Sequence, residues 1–293
     1  MHMHKRQFLK VAGGTVAGTV LLGTGTSFYS THIEPANIDC TQLSLRLPRL
    51  SPAFHGYRIA QLSDIHIDDT WMDFKRLSDI VKQVNAQHPD LIVITGDFVT
   101  RYYPWAARPL AALGDLHARD GVFSIYGNHD AWSGTDWLGA LIKPLGINDL
   151  TNEFHTIKRE NGAMLHIVGI EDLWPDPSYI NSVWEYSDTI AGLVKRLPSE
   201  GSAILLAHEP DFADVATKTE RFDLQLSGHT HGGQVRIPLV GTPRTPPLGH
   251  KYVSGLYSVG SMLQYTNRGL GMVKPQVRFD CRPEITIIEC QAL

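Results

Sequence analysis

Five apolar runs in this 293-residue chain end in side chains that bind metals through oxygen or nitrogen. Ser63-Asp64-Ile65-His66 closes the first run and Thr95-Gly96-Asp97 the second. Gly127-Asn128-His129-Asp130 closes the third, Ala207-His208-Glu209-Pro210 the fourth and Ser227-Gly228-His229-Thr230-His231 the fifth. Together they supply Asp64, Asp97, His66, His208, His229, His231 and Asn128, with His129 besides. Oxygen and imidazole donors without thiolate suit Mn, Fe, Zn, Co or Ni. Seven donors are too many for one tetrahedral ion. They suit two divalent ions that share a bridging carboxylate, with water completing each shell. Ions held roughly 3.5–4 Å apart act together on phosphoryl groups, polarising the phosphate and lowering the pKa of a bridging water.

Each residue alone has a blander reading. An aspartate after a strand usually caps a helix, and Gly-Asp or Gly-Asn usually makes a turn. A single histidine is more often a satisfied polar group than a ligand. Gly228-His229-Thr230-His231 says more, because a local twist in an extended segment aims both rings at one metal pair. Five such ends in order, each closing a strand, are hard to explain as caps and turns.

The elements that must position these ends follow from apolar periodicity. Tyr57–Leu62 reads as a short strand. Phe74, Leu77, Ile80, Val81 and Val84 recur at helical spacing and predict a helix over 73–87. His88-Pro89-Asp90 breaks it, and Leu91–Ile94 reads as a buried strand. A helix around 105–118, a strand from Val122 to Tyr126 and a helix at 134–143 follow. Next come strands near 153–158 and 163–170, a helix at 186–197, a strand over Ala203–Ala207 and a short helix after Pro210. Leu224–Leu226 is a further strand, and short strands with Pro/Gly-rich loops at 238–249 complete the chain. No repeat or linker divides residues 31–293, which read as one α/β domain. In such a sheet the strand ends on one side converge on a ligand-binding crevice.

Composition bounds the partners. The chain is 43% hydrophobic and 19% charged, with a net charge of −4 and no block of like charges. A nucleic-acid partner is disfavoured, because gripping its backbone calls for a basic excess or stripe. Cys40, Cys281 and Cys290 form no CxxC pair, and their odd number argues against a disulfide framework. Cys281 and Cys290 are expected to be buried as small apolar residues. Oligomeric state is not legible.

Residues 1–30 differ from the rest. A basic stretch, His4-Lys5-Arg6-Gln7-Phe8-Leu9-Lys10, precedes a Gly/Ala/Val-rich apolar run from Val11 to Gly23 and then a small polar stretch. This is the order of an export leader or membrane anchor. The run is short for a spanning helix, which needs about 20 residues. Lys5-Arg6-Gln7-Phe8-Leu9-Lys10 resembles the twin-arginine leader pattern, with lysine in place of the first arginine. The expected location is the periplasm or cell envelope, or alternatively the inner face of the cytoplasmic membrane.

Asp-x-His, Gly-Asp, Gly-Asn-His-Asp, a later His and Gly-His-x-His, in that order, resemble the calcineurin-like metallophosphoesterases. The resemblance spans roughly residues 40–293. Leu62–His66, Gly228–Gln234, Asn267-Arg268-Gly269-Leu270-Gly271 and Arg282-Pro283-Glu284-Ile285 resemble a bacterial branch of leader-bearing or membrane-associated phosphodiesterases. That branch includes enzymes similar to UDP-2,3-diacylglucosamine pyrophosphatases. The resemblance implies a four-layer α/β/β/α sandwich of the metallo-dependent phosphatase type and two divalent ions (Mn, Fe or Zn, with Mn favoured). By motif, Asp64, His66 and His231 hold the first ion, Asn128, His208 and His229 the second, and Asp97 bridges. His129 is the catalytic histidine and Asp130 orients its ring. The implied reaction is hydrolysis of a phosphoester or pyrophosphate, most simply a phosphodiester, by in-line attack of a metal-bridging hydroxide. Asp68 departs from the family's glycine, and Phe98-Val99-Thr100 after Asp97 lacks a downstream acid.

Substrate choice falls to the loops. Arg101-Tyr102-Tyr103-Pro104-Trp105, Asp172-Leu173-Trp174-Pro175 and Ile237–Gly249 could form an apolar, aromatic rim for a small-molecule or lipid-linked phosphoester, with a membrane surface as a further candidate partner. Arg101, Arg244 and Arg268 are candidates for gripping a phosphate. A non-catalytic binding module on the same fold is the alternative of a different class. Such a protein typically loses ligands or the catalytic histidine, and this chain keeps Asp97, Asn128 and His129.

Overall fold

The strand Leu91–Thr95 is buried at every position, so both of its faces need apolar cover. Period-two alternation sends Leu91 and Val93 into one apolar layer, and Ile92 and Ile94 into another. The same logic runs through the whole chain. The structure, a computed structural model, describes residues 24–68, 70–178, 180 and 182–293. Residues 1–23 of the expected leader lie outside them. Residues 24–28 are helical and lead into a further helical turn, Tyr29–Ile33. Among the described residues, no helix is long and apolar enough to cross a membrane.

Among the described residues, twelve strands form two six-stranded sheets. The first contains β1 (Asp39–Arg46), β2 (Tyr57–Leu62), β3 (Leu91–Thr95), β4 (Val122–Ile125), β5 (Ile147–Asp149) and β12 (Glu284–Gln291), in the order β1-β12-β2-β3-β4-β5. The second contains β6 (Phe154–Lys158), β7 (Met164–Gly169), β8 (Ser202–Leu206), β9 (Leu224–Ser227), β10 (Gly255–Val259) and β11 (Met262–Thr266), in the order β10-β11-β9-β8-β7-β6. Strands β2 to β5 run parallel, as do β7, β8, β9 and β11. The ends of β2, β3 and β4 in one sheet, and of β8 and β9 in the other, therefore carry the five polar motifs to one edge.

Helices complete the outer layers. Against the first sheet lie α1 (Phe74–Asn85), α2 (Ala107–Leu110), α3 (Asn128–Ser133) and α4 (Thr135–Ile142), while α5 (Ser187–Arg196) and α6 (Ala213–Ala216) cover the second. Leu77, Ile80, Val81 and Val84 of α1 meet Ile92 and Ile94, and Ile190 and Leu193 of α5 meet Ala203 and Leu205. Between the sheets, Ile59, Val93 and Ile125 meet Ile167, Ile204 and Leu224. Three apolar layers separate four structural ones, so the fold is the expected α/β/β/α sandwich.

Four elements differ from the sequence reading: strands β1 and β5 were not expected, and two helical segments depart from it. The helix expected around 105–118 is interrupted: α2 ends at Leu110, and a tighter turn, Ala111–Asp115, follows it. Pro109 has no N–H to donate and Gly114 disfavours helix, so a long run is not sustained. Helix α3 grows directly from the third metal-ligand motif, which apolar spacing does not announce. Cys281 and Cys290 are buried as expected, and Cys40 is exposed.

The last strand is structurally central. β12 lies between β1 and β2, parallel to one and antiparallel to the other. Beneath the polar edge, buried Gln61 donates from Nε2 to Thr95 Oγ1 (3.1 Å) and to the Ser227 carbonyl (3.0 Å), tying β2 to the facing sheet. Ile288→Ala in β12 is expected to cost about 2–5 kcal/mol. Exposed Leu256→Ala on edge strand β10 should change stability by less than about 0.5 kcal/mol. Urea unfolding of the two variants decides this, and equal midpoints would deny β12 its central place.

Candidate metal centre

Three of the five motifs, the first, second and fifth, leave their strands through a turn that few side chains tolerate. Asp64, His66, Asp97, His229 and His231 all have left-handed backbone, with φ between 48° and 69°. For a residue with a Cβ this costs roughly 1–2 kcal/mol each. Strain of this kind gathers at functional sites. Two glycines let the turns come together. A Cβ on Gly127 would lie 2.4 Å from Asp97 Oδ1 and 2.6 Å from His208 Cε1, and one on Gly228 would lie 1.9 Å from Ser63 Oγ.

The turns bring all seven expected donors into one buried cluster. Asp64, His66 and His231 form one group with donor atoms within 4.8 Å of one another, and Asp64, Asp97 and His208 form a second. Asp97 Oδ2 lies 3.4 Å from His66 Nε2 and 3.3 Å from His208 Nε2, so one carboxylate faces both groups. His231 Nε2 is 3.0 Å from His66 Nε2 and 3.4 Å from Asp64 Oδ1. Asn128 Oδ1 lies 3.0 Å from His229 Nδ1.

Neighbouring carbonyls orient the rings. The Thr95 carbonyl accepts from His208 Nδ1 (2.7 Å), and the Pro247 carbonyl accepts from His229 Nε2 (2.7 Å). A carbonyl can only accept, so the proton sits on the bonded nitrogen and the other nitrogen turns inward. Buried His208 Nε2 and His231 Nδ1 have no hydrogen-bond partner. Native proteins seldom leave buried polar atoms unsatisfied, and here they sit among carboxylates.

Charge follows the same pattern. Burial pushes Asp64 up to about 6, and presses His66 down to about 3 and His231 well below the imidazole range. Burial also lowers His229. At Asp97 burial works upward, but His208, His129 and His66 outweigh it and hold the carboxyl well below its usual range. At His208 burial works downward, but Asp97 outweighs it and holds the imidazole well above its usual value. Unprotonated rings beside an ionised carboxylate are what divalent cations require, and cation uptake would displace the proton from His208. The donor set fits a metal pair.

His129 borders the cluster, in a third group with His66 and Asp97 whose donor atoms lie within 4.8 Å of one another. It is half-buried where the seven donors are buried, and its ring packs edge-on against His66 at 4.8 Å. Its Nδ1 donates to the Thr100 carbonyl at 2.6 Å. Asp130 does not orient this ring, contrary to the sequence expectation. Its carboxylate accepts from the backbone N–H groups of Phe98, Val99 and Gly127, and so joins the β3 and β4 turns. The expectation overlooked a backbone carbonyl as the orienting group, and no residue type signals one. Trp132 was also missed as a neighbour of the site, whereas Trp174 belongs to the expected aromatic rim. Trp132 packs against His129 at 4.8 Å and donates from Nε1 to the Trp174 carbonyl (2.9 Å). The spacing of Trp132 three residues after His129 on a helix was the available signal.

The candidate arginines separate. Arg101 and Arg244 are exposed and have no ion pair among the described residues. Arg268 is not available to a phosphate: it bonds Glu284 Oε2 through Nε (2.8 Å) and Asp39 Oδ2 through Nη2 (3.1 Å). Its segment is a buttress. The Leu270 and Gly271 amides donate to the Ser63 and Asp64 carbonyls, and fully buried Arg278 donates to the carbonyls of Arg268, Gly269, Gly271 and Cys281. Asp68, the departure from the family glycine, accepts from the Thr70, Trp71 and Met72 amides and so closes the turn after His66.

Comparison with known proteins agrees with this geometry. The family model for calcineurin-like phosphoesterases matches residues 57–233. Metallophosphoesterase YkuE of Bacillus subtilis (strain 168) is 36% identical over 97% of this chain and 96% of its own. Phosphodiesterase YaeI of Escherichia coli (strain K12) is 31% identical over 97% and 98%. UDP-2,3-diacylglucosamine pyrophosphatase LpxG of Chlamydia muridarum (strain MoPn / Nigg) is 28% identical over 95% and 97%. From β2 through its last histidine motif, this chain belongs to the calcineurin-like phosphoesterase family.

Proposed function

We propose that this phosphoesterase is a manganese-preferring phosphodiesterase of the cell envelope. The observation that carries the reading is Asp97 Oδ2 facing His66 Nε2 at 3.4 Å and His208 Nε2 at 3.3 Å. One carboxylate shared by two donor groups suits a pair of ions. Asp64, His66 and His231 would hold one, Asn128, His208 and His229 the other, and Asp97 both. Bound ions would supply Lewis acidity to the phosphoryl oxygens and a lowered pKa to water. With His129 Nδ1 committed to the Thr100 carbonyl, Nε2 is the atom that can give a proton to the leaving oxygen. Exposed Arg101, next to Thr100, is suited to bidentate contact with phosphate oxygens. Trp132 and Trp174 wall the His129 side against water. The leader-like order of residues 1–30 supports action beyond or at the membrane.

A second reading, a lipid-linked pyrophosphate as substrate, has its own support. A 630 Å³ cleft opens beside the loop that follows Asp97. Phe74, Tyr103, Pro104, Trp105 and Pro109 line it, and the size and apolar lining suit a lipid-linked group.

Metal-stripped protein is expected to hydrolyse bis-p-nitrophenyl phosphate only after divalent ion is restored, Mn²⁺ best, with p-nitrophenyl phosphate slower. Asp97→Ala should lose both activity and metal, read by steady-state rates and elemental analysis. A monoester preference would reject the diesterase reading. Turnover of UDP-2,3-diacylglucosamine alone would select the second one.

His129→Gln should keep its metal content while kcat falls by about 10²–10⁴. Unchanged kcat would remove His129 from the reaction. Gly127→Ala deletes no donor, yet it should weaken metal binding, because its Cβ would collide with Asp97 and His208. Calorimetric Mn²⁺ titration tests this, and wild-type affinity would show that the turn has room to shift.

A further inference from the structure

From residue 224 to residue 279 the chain contains no aspartate or glutamate, while Arg236, Arg244, Lys251, Arg268, Lys274 and Arg278 supply cations. Lys251 pairs with Asp214, Arg268 with Glu284 and Asp39, and Arg278 is taken up by backbone carbonyls. Arg236, Arg244 and Lys274 have no ion pair among the described residues. Two of these three flank an apolar turn, Ile237-Pro238-Leu239-Val240-Gly241. The Ile237 and Gly241 backbones bond each other in both directions at 2.8 Å, which pinches the turn into a projecting tip. Leu239 is fully exposed and Val240 is 72% exposed. Leu239 also takes left-handed backbone, φ 67°, where glycine or asparagine would fit without strain and without an apolar side chain in water. Among the described residues, no packing covers the Leu239 side chain.

We propose that this tip inserts into an anionic phospholipid bilayer and turns the metal centre toward the membrane surface. An apolar wedge with a cationic collar suits the headgroup boundary, and each such cation near an anionic surface adds about fivefold to binding. The N-terminal segment supports a bilayer over a second copy as occupant. Pro238 and Tyr29 border one hollow that also holds Glu34, Asp39 and Asp280, of which Asp39 pairs with Arg268 and Arg282 and Glu34 accepts from the Cys281 amide. On the same side, Phe28, Tyr29 and Ile33 expose their side chains, and the apolar run Val11–Gly23 precedes them in the chain. The arm is rooted in the metal centre at both ends. It leaves after His231 and returns at Pro247, whose carbonyl holds His229. The inference goes beyond the hydrolytic reading and does not depend on which phosphoester is cleaved.

The test uses the full chain with Cys40→Ser and Leu239→Cys, labelled at residue 239 with an environment-sensitive fluorophore. Vesicles of phosphatidylglycerol and phosphatidylcholine should shift its emission to the blue, and vesicles of phosphatidylcholine alone should shift it far less. In unlabelled protein, Leu239→Asp with Val240→Asp should lower partitioning onto the anionic vesicles at least about tenfold. Its urea-unfolding midpoint should be unchanged, because both side chains are exposed. A silent probe on vesicles that do sediment the protein would overturn the proposal, because the N-terminal segment would then bind alone. A probe that responds to protein concentration without vesicles would overturn it in favour of self-association. Equal response to both vesicle types would overturn the charge argument.

Discussion

Everything in this molecule depends on keeping one buried carboxylate ionised. Asp97 is 1% exposed, and burial alone would protonate it. Three imidazoles from three different strand ends prevent that, and the His129 amide also donates to its Oδ1 at 2.9 Å. None of those groups is near Asp97 in sequence. The two sheets must therefore be held in register to within a fraction of an ångström, and the rest of the structure can be understood as the means of doing so. Gln61 ties the sheets together just beneath the site. Asp130 joins the β3 and β4 turns, and glycines at the contact points leave no side chain in the way.

A second shell of backbone serves the same end. The Asn267–Gly271 segment bonds the carbonyls on either side of the first turn, and Arg278 holds that segment by four of its neighbours' carbonyls. Glu284 opens the central strand β12 and engages Arg268 in the same segment. The C-terminal strand thus reaches the metal centre through a chain of hydrogen bonds without contributing a donor. Disturbing it should be felt as loosened metal binding as well as lost stability.

The gathering of the seven candidate donors was legible in the sequence because strand-end chemistry is local: each motif is short, polar and preceded by an apolar run. The layered fold was legible for a related reason, since strands buried on both faces and amphipathic helices alternate along the chain. What was not legible is set by distance or by atoms that every residue carries. The place of β12 between β1 and β2 depends on pairing across more than two hundred residues. The orientation of His129 depends on a carbonyl of Thr100, and carbonyls carry no sequence signature. Arg268 looked like a free cation because its partners, Asp39 and Glu284, lie in other segments. Trp132 was missed because helix α3 starts inside a motif read as a turn.

Net charge misleads here more than composition does. The chain as a whole carries −4, yet all its carboxylates lie outside residues 224–279, the stretch that supplies His229, His231 and the arm beyond them. Arg236, Arg244 and Lys274, which have no ion pair among the described residues, lie in that stretch, so unpaired positive charge is gathered in the segment that carries His229 and His231. Such an asymmetry raises local substrate concentration without the basic stripe that a nucleic acid would require, and it weakens as salt screens it. Under the proposed membrane contact, the same field would draw the arm toward an anionic surface. Recognition of a small phosphate ester and orientation at a membrane would then be two consequences of one segregation of charge, made in the strands and loops of the second sheet.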